Sequence, residues 1–150
     1  MSTTELSESS EQAARKALEA EHAAVWLYGL ATAFTEEPKV RSEVDEAAAT
    51  HREHRDRARR LLRAAGAAPP SAEPAYRPPK AVTDQNSALR ALLAAEQDCS
   101  VGWLAVLERS ESRQLSELAL TCLTEAATRA TRWRLRLGIE PSAPAFPGRE

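Results

Sequence analysis

The stretch Thr50–Arg60, which reads THREHRDRARR, sets two histidines on the otherwise apolar face of a long amphipathic helix. Positions on this face recur in alternating steps of three and four, and they are Val40, Val44, Ala47, His51, His54, Ala58, Leu61 and Ala65. Residues with this spacing share one side of an α-helix, so both histidines are predicted to point into a core. The sequence therefore predicts a helical bundle with ionisable groups at its centre.

Three further helices are predicted around this one. A first helix runs from about residue 11 to 35, with Ser9 or Ser10 as its N-cap, and the turn Thr35–Pro38 leads into the histidine helix. A third helix begins after Thr83 and Asp84, and a polar break near residues 110–112 separates it from a fourth. Both pairs of helices are thus joined by short connections.

The connection between the second and third helices is different, because residues 67–82 are rich in proline. The prolines are Pro69, Pro70, Pro74, Pro78 and Pro79. Proline at this density excludes a helix and favours extended backbone that rises about 3 Å per residue. A neighbouring helix is about 40 Å long, so this segment is predicted to be a crossover that travels the length of the bundle.

These elements predict an all-α fold. No stretch alternates with a period of two and no hairpin turn is present, so no strand is expected. Four long helices with one long crossover are typical of the ferritin-like four-helix bundle. We expect a disordered lead over residues 1–10, the bundle over residues 11–140 and a proline-rich tail over residues 141–150.

Composition excludes some classes of function. The chain has 20 basic and 22 acidic side chains, a balance that gives no general reason to expect nucleic acid or an anionic membrane as a partner. The arginine run over residues 52–63 is interleaved with Glu53 and Asp56, which indicates a solvated helix face, with a phosphate-binding patch as the alternative. No leader or membrane-spanning segment is recognised, so the cytoplasm is the expected compartment. In that compartment Cys99 and Cys122 are expected to be small buried hydrophobic residues. The alternative is a redox or ligand pair, which is disfavoured because the neighbouring serine and threonine residues do not activate a thiolate.

Two glutamates are predicted to meet the histidines. Glu21 and Glu96 interrupt the apolar faces of the first and third helices. A turn at residues 36–37 brings Glu21 level with His51, and a turn at residues 110–111 brings Glu96 level with Glu125. A buried carboxylate needs a partner, because an isolated charge in the core costs several kcal/mol.

One possible partner is a metal. Di-iron and di-manganese bundles take one Glu from each of two helices and a Glu-x-x-His motif from each of the other two. Ala48 and Thr128 stand where two of those ligands are needed, so a di-metal site is incomplete. The sequence retains a candidate site for one divalent ion of iron, manganese or zinc, with the ligands Glu21, His51, His54 and Glu96.

The alternative is a metal-free polar network. In this interpretation Arg55 and Arg129 bind the two carboxylates, and Glu125 and Tyr28 are further partners. Tyr28 is favoured as a core residue whose hydroxyl is hydrogen-bonded. The three tryptophans are interpreted as packing residues, with Trp26 able to dock the crossover or a second subunit.

Several segments together resemble a bacterial ferritin-like domain family of unknown function. They are Ala20–Ala24, Tyr28–Gly29, the helix with His51 and Arg55 that ends at Gly66, Ala75–Tyr76, Pro79, Val82, Glu96, Trp133–Arg134 and Phe146–Gly148. The resemblance spans about residues 15–148. It implies a ferritin-like fold in which Glu21, His51 and Glu96 form a polar core, and it supplies no reaction.

Two functions follow as hypotheses. The first is a metal-binding or redox protein that is not an iron-storage cage. The second is an interaction module, either a homodimer or the partner of another protein, which uses the apolar face of Trp26, Leu27 and Leu30. Nucleic acid is not an expected partner, and no catalytic residue is assigned, because phosphate loops and nucleophile motifs are absent.

Overall fold

Four long α-helices dominate residues 5–149, the part of the chain that this computed structural model describes. They are α1 (Glu8–Thr32), α2 (Pro38–Ala64), α3 (Gln85–Arg109) and α4 (Arg113–Leu137). These residues contain no strand, so the predicted all-α class and four-helix bundle are confirmed. Within the same part of the chain, no helix is both long and apolar enough to cross a membrane.

The first helix begins earlier than the sequence analysis predicted. Its N-cap is Ser7, whose side chain accepts a hydrogen bond from the backbone N–H of Ser10. Glu8 and Glu11 lie in the first turn, where negative charge is favourable to the helix dipole. Of the predicted disordered lead, residues 1–4 lie outside the described residues and residues 8–10 are helical.

The other helix starts follow the local sequence closely. Pro38 occupies the first turn of α2, and the N-cap residue before it is Glu37, whose side chain makes no cap hydrogen bond. Asp84 begins α3 with a capping box, because its side chain accepts from the Ser87 backbone N–H and the Ser87 hydroxyl accepts from the Asp84 N–H. The Asp84 cap satisfies N–H groups at the start of α3 that have no partner within the helix.

Neighbouring helices run antiparallel. α1 packs against α2 and α3, whereas α4 packs against α3 and more lightly against α2. The start of α1 meets the end of α3 where the Ser10 hydroxyl donates to the carbonyl of Arg109. The end of α4 meets the start of α2 where Arg136 pairs with Glu43 at 2.7 Å. The two diagonal pairs, α1 with α4 and α2 with α3, are separated by the core.

Residues 65–84, which we call the link, join α2 to α3 and lie along α1. Three contacts follow one another up α1: Arg15 donates to the carbonyl of Ala68, His22 donates to that of Pro70, and the Trp26 ring packs on Tyr76. At the far end, the Gln85 side chain accepts from the backbone N–H groups of Glu36 and Glu37. The link thereby carries the chain from one end of the bundle to the other.

Small residues allow α1 and α3 to approach closely. Ala17 and Gly102 face each other, and a Cβ added to Gly102 would lie 3.0 Å from the Cα of Ala17. Backbone atoms at that distance cannot move aside as a flexible side chain can. Glycine at residue 102 therefore sets the separation of these two helices.

We expect Gly102→Ala to lower the free energy of unfolding by about 1 kcal/mol, because overpacking a core contact costs about 1–3 kcal/mol. The control is Gly29→Ala in α1, where nothing lies within 4 Å of the added Cβ. There the better helix propensity of alanine should add about 0.5–1 kcal/mol. Urea unfolding measures both variants, and an equal gain in stability would contradict the close approach.

Candidate functional site

One ionisable residue from each helix meets at the centre of the bundle. Glu21 comes from α1, His51 from α2, Glu96 from α3 and Arg129 from α4. All four are buried, and the most exposed of them, Arg129, keeps only 6% of its surface accessible. We call this set the ion network. It connects all four helices through side-chain contacts.

His51 lies between the two carboxylates. Its Nδ1 is 2.6 Å from Oε2 of Glu21, and its Nε2 is 2.8 Å from Oε2 of Glu96. A carboxylate oxygen accepts hydrogen bonds, so both ring nitrogens act as donors and the ring is an imidazolium. Burial opposes this charge, but the two carboxylates outweigh it and raise the pKa of His51 to about 9.

Three neutral side chains complete the arrangement. The indole N–H of Trp103 donates to Oε1 of Glu21 at 2.9 Å, and the Tyr28 hydroxyl donates to Oε2 of Glu96. The indole N–H of Trp133 in turn donates to the Tyr28 hydroxyl at 2.9 Å. These donors stabilise the carboxylates, and the two tryptophans are hydrogen-bonded as well as packed. Their positions on the buried faces of α3 and α4 were the only sequence signal for this role.

The charges within the ion network balance. Burial alone would raise the pKa of Glu96, but His51 and then Arg129 lower it to about 2. The pKa of Glu21 is likewise lowered, because the charge and hydrogen bond of His51 outweigh the effect of burial. Arg129, whose Nε lies 2.9 Å from Oε2 of Glu96, is the second cation. Two carboxylates thus face two cations, and the network has no net charge.

A second polar group lies beside the ion network. Nε2 of His54 is 2.7 Å from Oε2 of Glu125, although the angles are not those of a hydrogen bond. Nδ1 of His54 is buried without a hydrogen-bond partner among residues 5–149. Burial lowers the pKa of His54, so its ring is neutral at neutral pH.

Both cysteines border this region as free, buried thiols. Glu21, His54 and Cys122 offer ligand atoms within 4.8 Å of one another, and Glu21, His51 and Cys99 do the same. Burial, followed by the nearby carboxylates, raises the pKa of each thiol. Their burial agrees with the favoured prediction of hydrophobic core residues over a redox or ligand pair, and the predicted metal-ligand set contains neither cysteine.

The structure brings together most of the predicted site residues. Glu21 faces His51 as the first turn predicted, and Arg129 binds Glu96 as the metal-free interpretation predicted, but Glu125 does not pair with Glu96. Glu125 lies one helical turn before Arg129 and faces His54.

Arg55 does not reach the ion network, contrary to the metal-free interpretation of the sequence. Its Nε donates to Asp56 at 2.9 Å, and its side chain lies beside His22 and the link. The helical period explains this placement, because Arg55 follows the inward-pointing His54 by one position, and such neighbours point about 100° away from each other.

The comparisons with known proteins place the chain in a family without assigning an activity. Residues 13–150 match the family described as Domain of unknown function (DUF4439). The structure is similar to the crystal structure of a conserved hypothetical protein, Rv2844, from Mycobacterium tuberculosis. The TM-score is 0.83 and the identity 36%, over 93% of this chain and 97% of that one. No curated protein matches. The chain therefore belongs to the DUF4439 family.

Proposed function

We propose that this protein is a ferritin-like bundle in which a metal-free ion network occupies the centre, and that it acts as a binding or assembly module. Antiparallel neighbouring helices with one long link between α2 and α3 support the ferritin-like assignment, since that is the topology of this class. The cytoplasm is the proposed compartment, where two buried thiols would stay reduced.

The observation that carries the proposal is the position of the His51 ring between Glu21 and Glu96. Carboxylates at the centre of ferritin-like bundles hold metal ions, whereas here an imidazolium and a guanidinium neutralise them. The donors for a di-metal site are also missing, because Ala48 and Thr128 cannot ligate as Glu and His do. A dication beside Glu96 would face the charge of Arg129 at close range. The residues do not fit a di-metal centre.

A second candidate function is the binding of one metal ion through Glu21, His54 and Cys122. Thiolate, imidazole and carboxylate together favour zinc, and the unpartnered Nδ1 of the buried His54 supports such a site. This set uses Cys122 in place of the predicted His51 and Glu96. Binding would require Cys122 to lose its proton in a buried site that raises its pKa.

Metal analysis of purified protein separates the two functions. We expect less than one equivalent of metal and no rise in melting temperature with iron, manganese or zinc. Ligand at 100 times its Kd would add about 2.7 kcal/mol of stability, which is easily detected. Stoichiometric zinc that is lost in Cys122→Ser and kept in Cys99→Ser would overturn the metal-free proposal and establish the second candidate.

The ion network should be intolerant of losing one charge. We expect Glu96→Gln to cost about 3–5 kcal/mol, because it leaves buried cations without a full partner. Glu43→Gln is the matched control, since Glu43 pairs with Arg136 near the surface and such pairs are worth about 1 kcal/mol or less. Denaturant unfolding compares them, and similar small losses would contradict a structural role for the network.

Stability should depend on pH in a specific way. The His51 contribution, set by Glu21, Glu96 and Arg129 around it, should be complete below its unfolded pKa of 6.5 and lost as the pH rises through about 9. The Glu96 contribution should be complete above 4.5 and lost as the pH falls through about 2. Burial lowers the pKa of His54 and of His22, so their contributions make stability rise with pH up to about 6.5. Unfolding curves from pH 3 to 10 should therefore show a maximum near pH 6.5. A steady rise in stability toward pH 9, as metal binding by a deprotonated histidine produces, would contradict this assignment.

Self-association remains a prediction. The predicted interface is the face of α1 that carries Trp26. Tyr76 of the link packs on the Trp26 ring, with the ring centroids 6.3 Å apart, and Leu27 is buried in the core. We expect Trp26→Ala to loosen the link as well as any dimer. Sedimentation equilibrium of the original chain and of the Trp26→Ala variant measures the dimer directly. An unchanged dimer in the variant would place the interface on another face.

A further inference from the structure

A basic cleft lies outside the ion network, between α1, α2 and the link. Its volume is about 250 Å³, and its walls are His22 of α1, the side chains of Arg55, Arg59 and Arg63 on α2, and residues 69–72 of the link. The three arginines follow one another at a spacing of four residues, so they form one stripe on α2. We call this feature the arginine cleft.

The positive charge of the arginine cleft is only partly neutralised. Arg55 pairs with Asp56, but in the described part of the chain neither Arg59 nor Arg63 has an acidic side chain within ion-pair distance. Like charges four residues apart on a helix repel each other. Arg59 is half-buried, which increases the cost of leaving its charge without a counter-ion. The cleft therefore has excess positive charge.

The wall that faces the three arginines does not repel an anion. His22 is 5% exposed, and its Nε2 donates to the carbonyl of Pro70, which would otherwise be a free acceptor in the wall. Pro69 and Pro70 restrict the backbone, so little conformational freedom remains to be lost on binding. Glu19 of α1, whose charge acts on His22, is exposed, and so is Glu73, which follows the link residues of this wall.

From this geometry we infer that the arginine cleft binds phosphate, either as the free ion or as a phosphate monoester. Guanidinium groups bind phosphate oxygens through paired hydrogen bonds, which a stripe of arginines can supply from several directions. The cavity is smaller than a typical site of 300–1,000 Å³ for a drug-sized ligand. Its lining includes no tryptophan, tyrosine or phenylalanine on which a base could stack, so the charged group is recognised and not a nucleobase.

Calorimetry of the full chain at an ionic strength of about 0.15 M, where charges outside the cleft are largely screened, tests the inference with inorganic phosphate and glycerol 3-phosphate. We expect Arg59→Gln with Arg63→Gln to weaken binding by about tenfold or more, because the double variant removes two charged hydrogen-bond donors. Tighter binding of one probe identifies the free ion or the monoester as the ligand.

The matched control is Arg57→Gln with Arg60→Gln, which removes the same charge from α2 at residues outside the cleft. Affinity within about twofold of the original chain is expected there, because only distant, screened charges are lost. Melting temperatures of both double variants establish that they fold. No heat of binding at 10 mM of either probe (about 2.7 kcal/mol of affinity), or an equal loss in both double variants, would overturn the inference.

Discussion

The contact of His51 with two carboxylates is the constraint on which the rest of the bundle depends. Glu21 and Glu96 are fully buried, so each is stable only while the imidazolium stays between them. Arg129 extends the same requirement to α4. A shift of any helix by one turn would leave a charge without a partner, whereas an apolar interface would tolerate it at lower cost. The ion network therefore makes a shifted register of the bundle costly.

Register is also where sequence-based prediction succeeded and failed. The short turn before Pro38 placed Glu21 opposite His51 correctly, because few residues separate the two helices. The same reasoning set Glu96 level with Glu125, one turn away from Arg129, which is the observed partner and the one that the metal-free interpretation named. A turn determines alignment only to about one helical turn, since residues four apart share a face. Electrostatics resolves the choice, because a buried carboxylate is stabilised by a cation and not by a second carboxylate.

Hydrogen-bond donors were harder to predict than helices. Helical spacing identified Trp103 and Trp133 as core residues, and both are fully buried. It did not show that their indole N–H groups hold Glu21 and Tyr28, because periodicity gives the face of a helix and not the direction of each side-chain atom. The candidate metal ligands shared this problem. Cys122 lies within reach of Glu21 and His54 only because three helices converge there.

α2 carries two sets of basic side chains, and the neighbouring elements neutralise only one of them. His51 points inward and is neutralised by carboxylates from α1 and α3. Arg59 and Arg63 lie on an adjacent face, where residues 69–72 of the link cover the helix with backbone and proline rings and contain no carboxylate. The charges in the interior thus balance, and a small divalent ion entering it must displace a proton from His51 or from a thiol. The arginine cleft has unneutralised positive charge, and an anion entering it displaces only water. Because the first change costs more than the second, the surface of α2 is the favoured place for a ligand of this bundle.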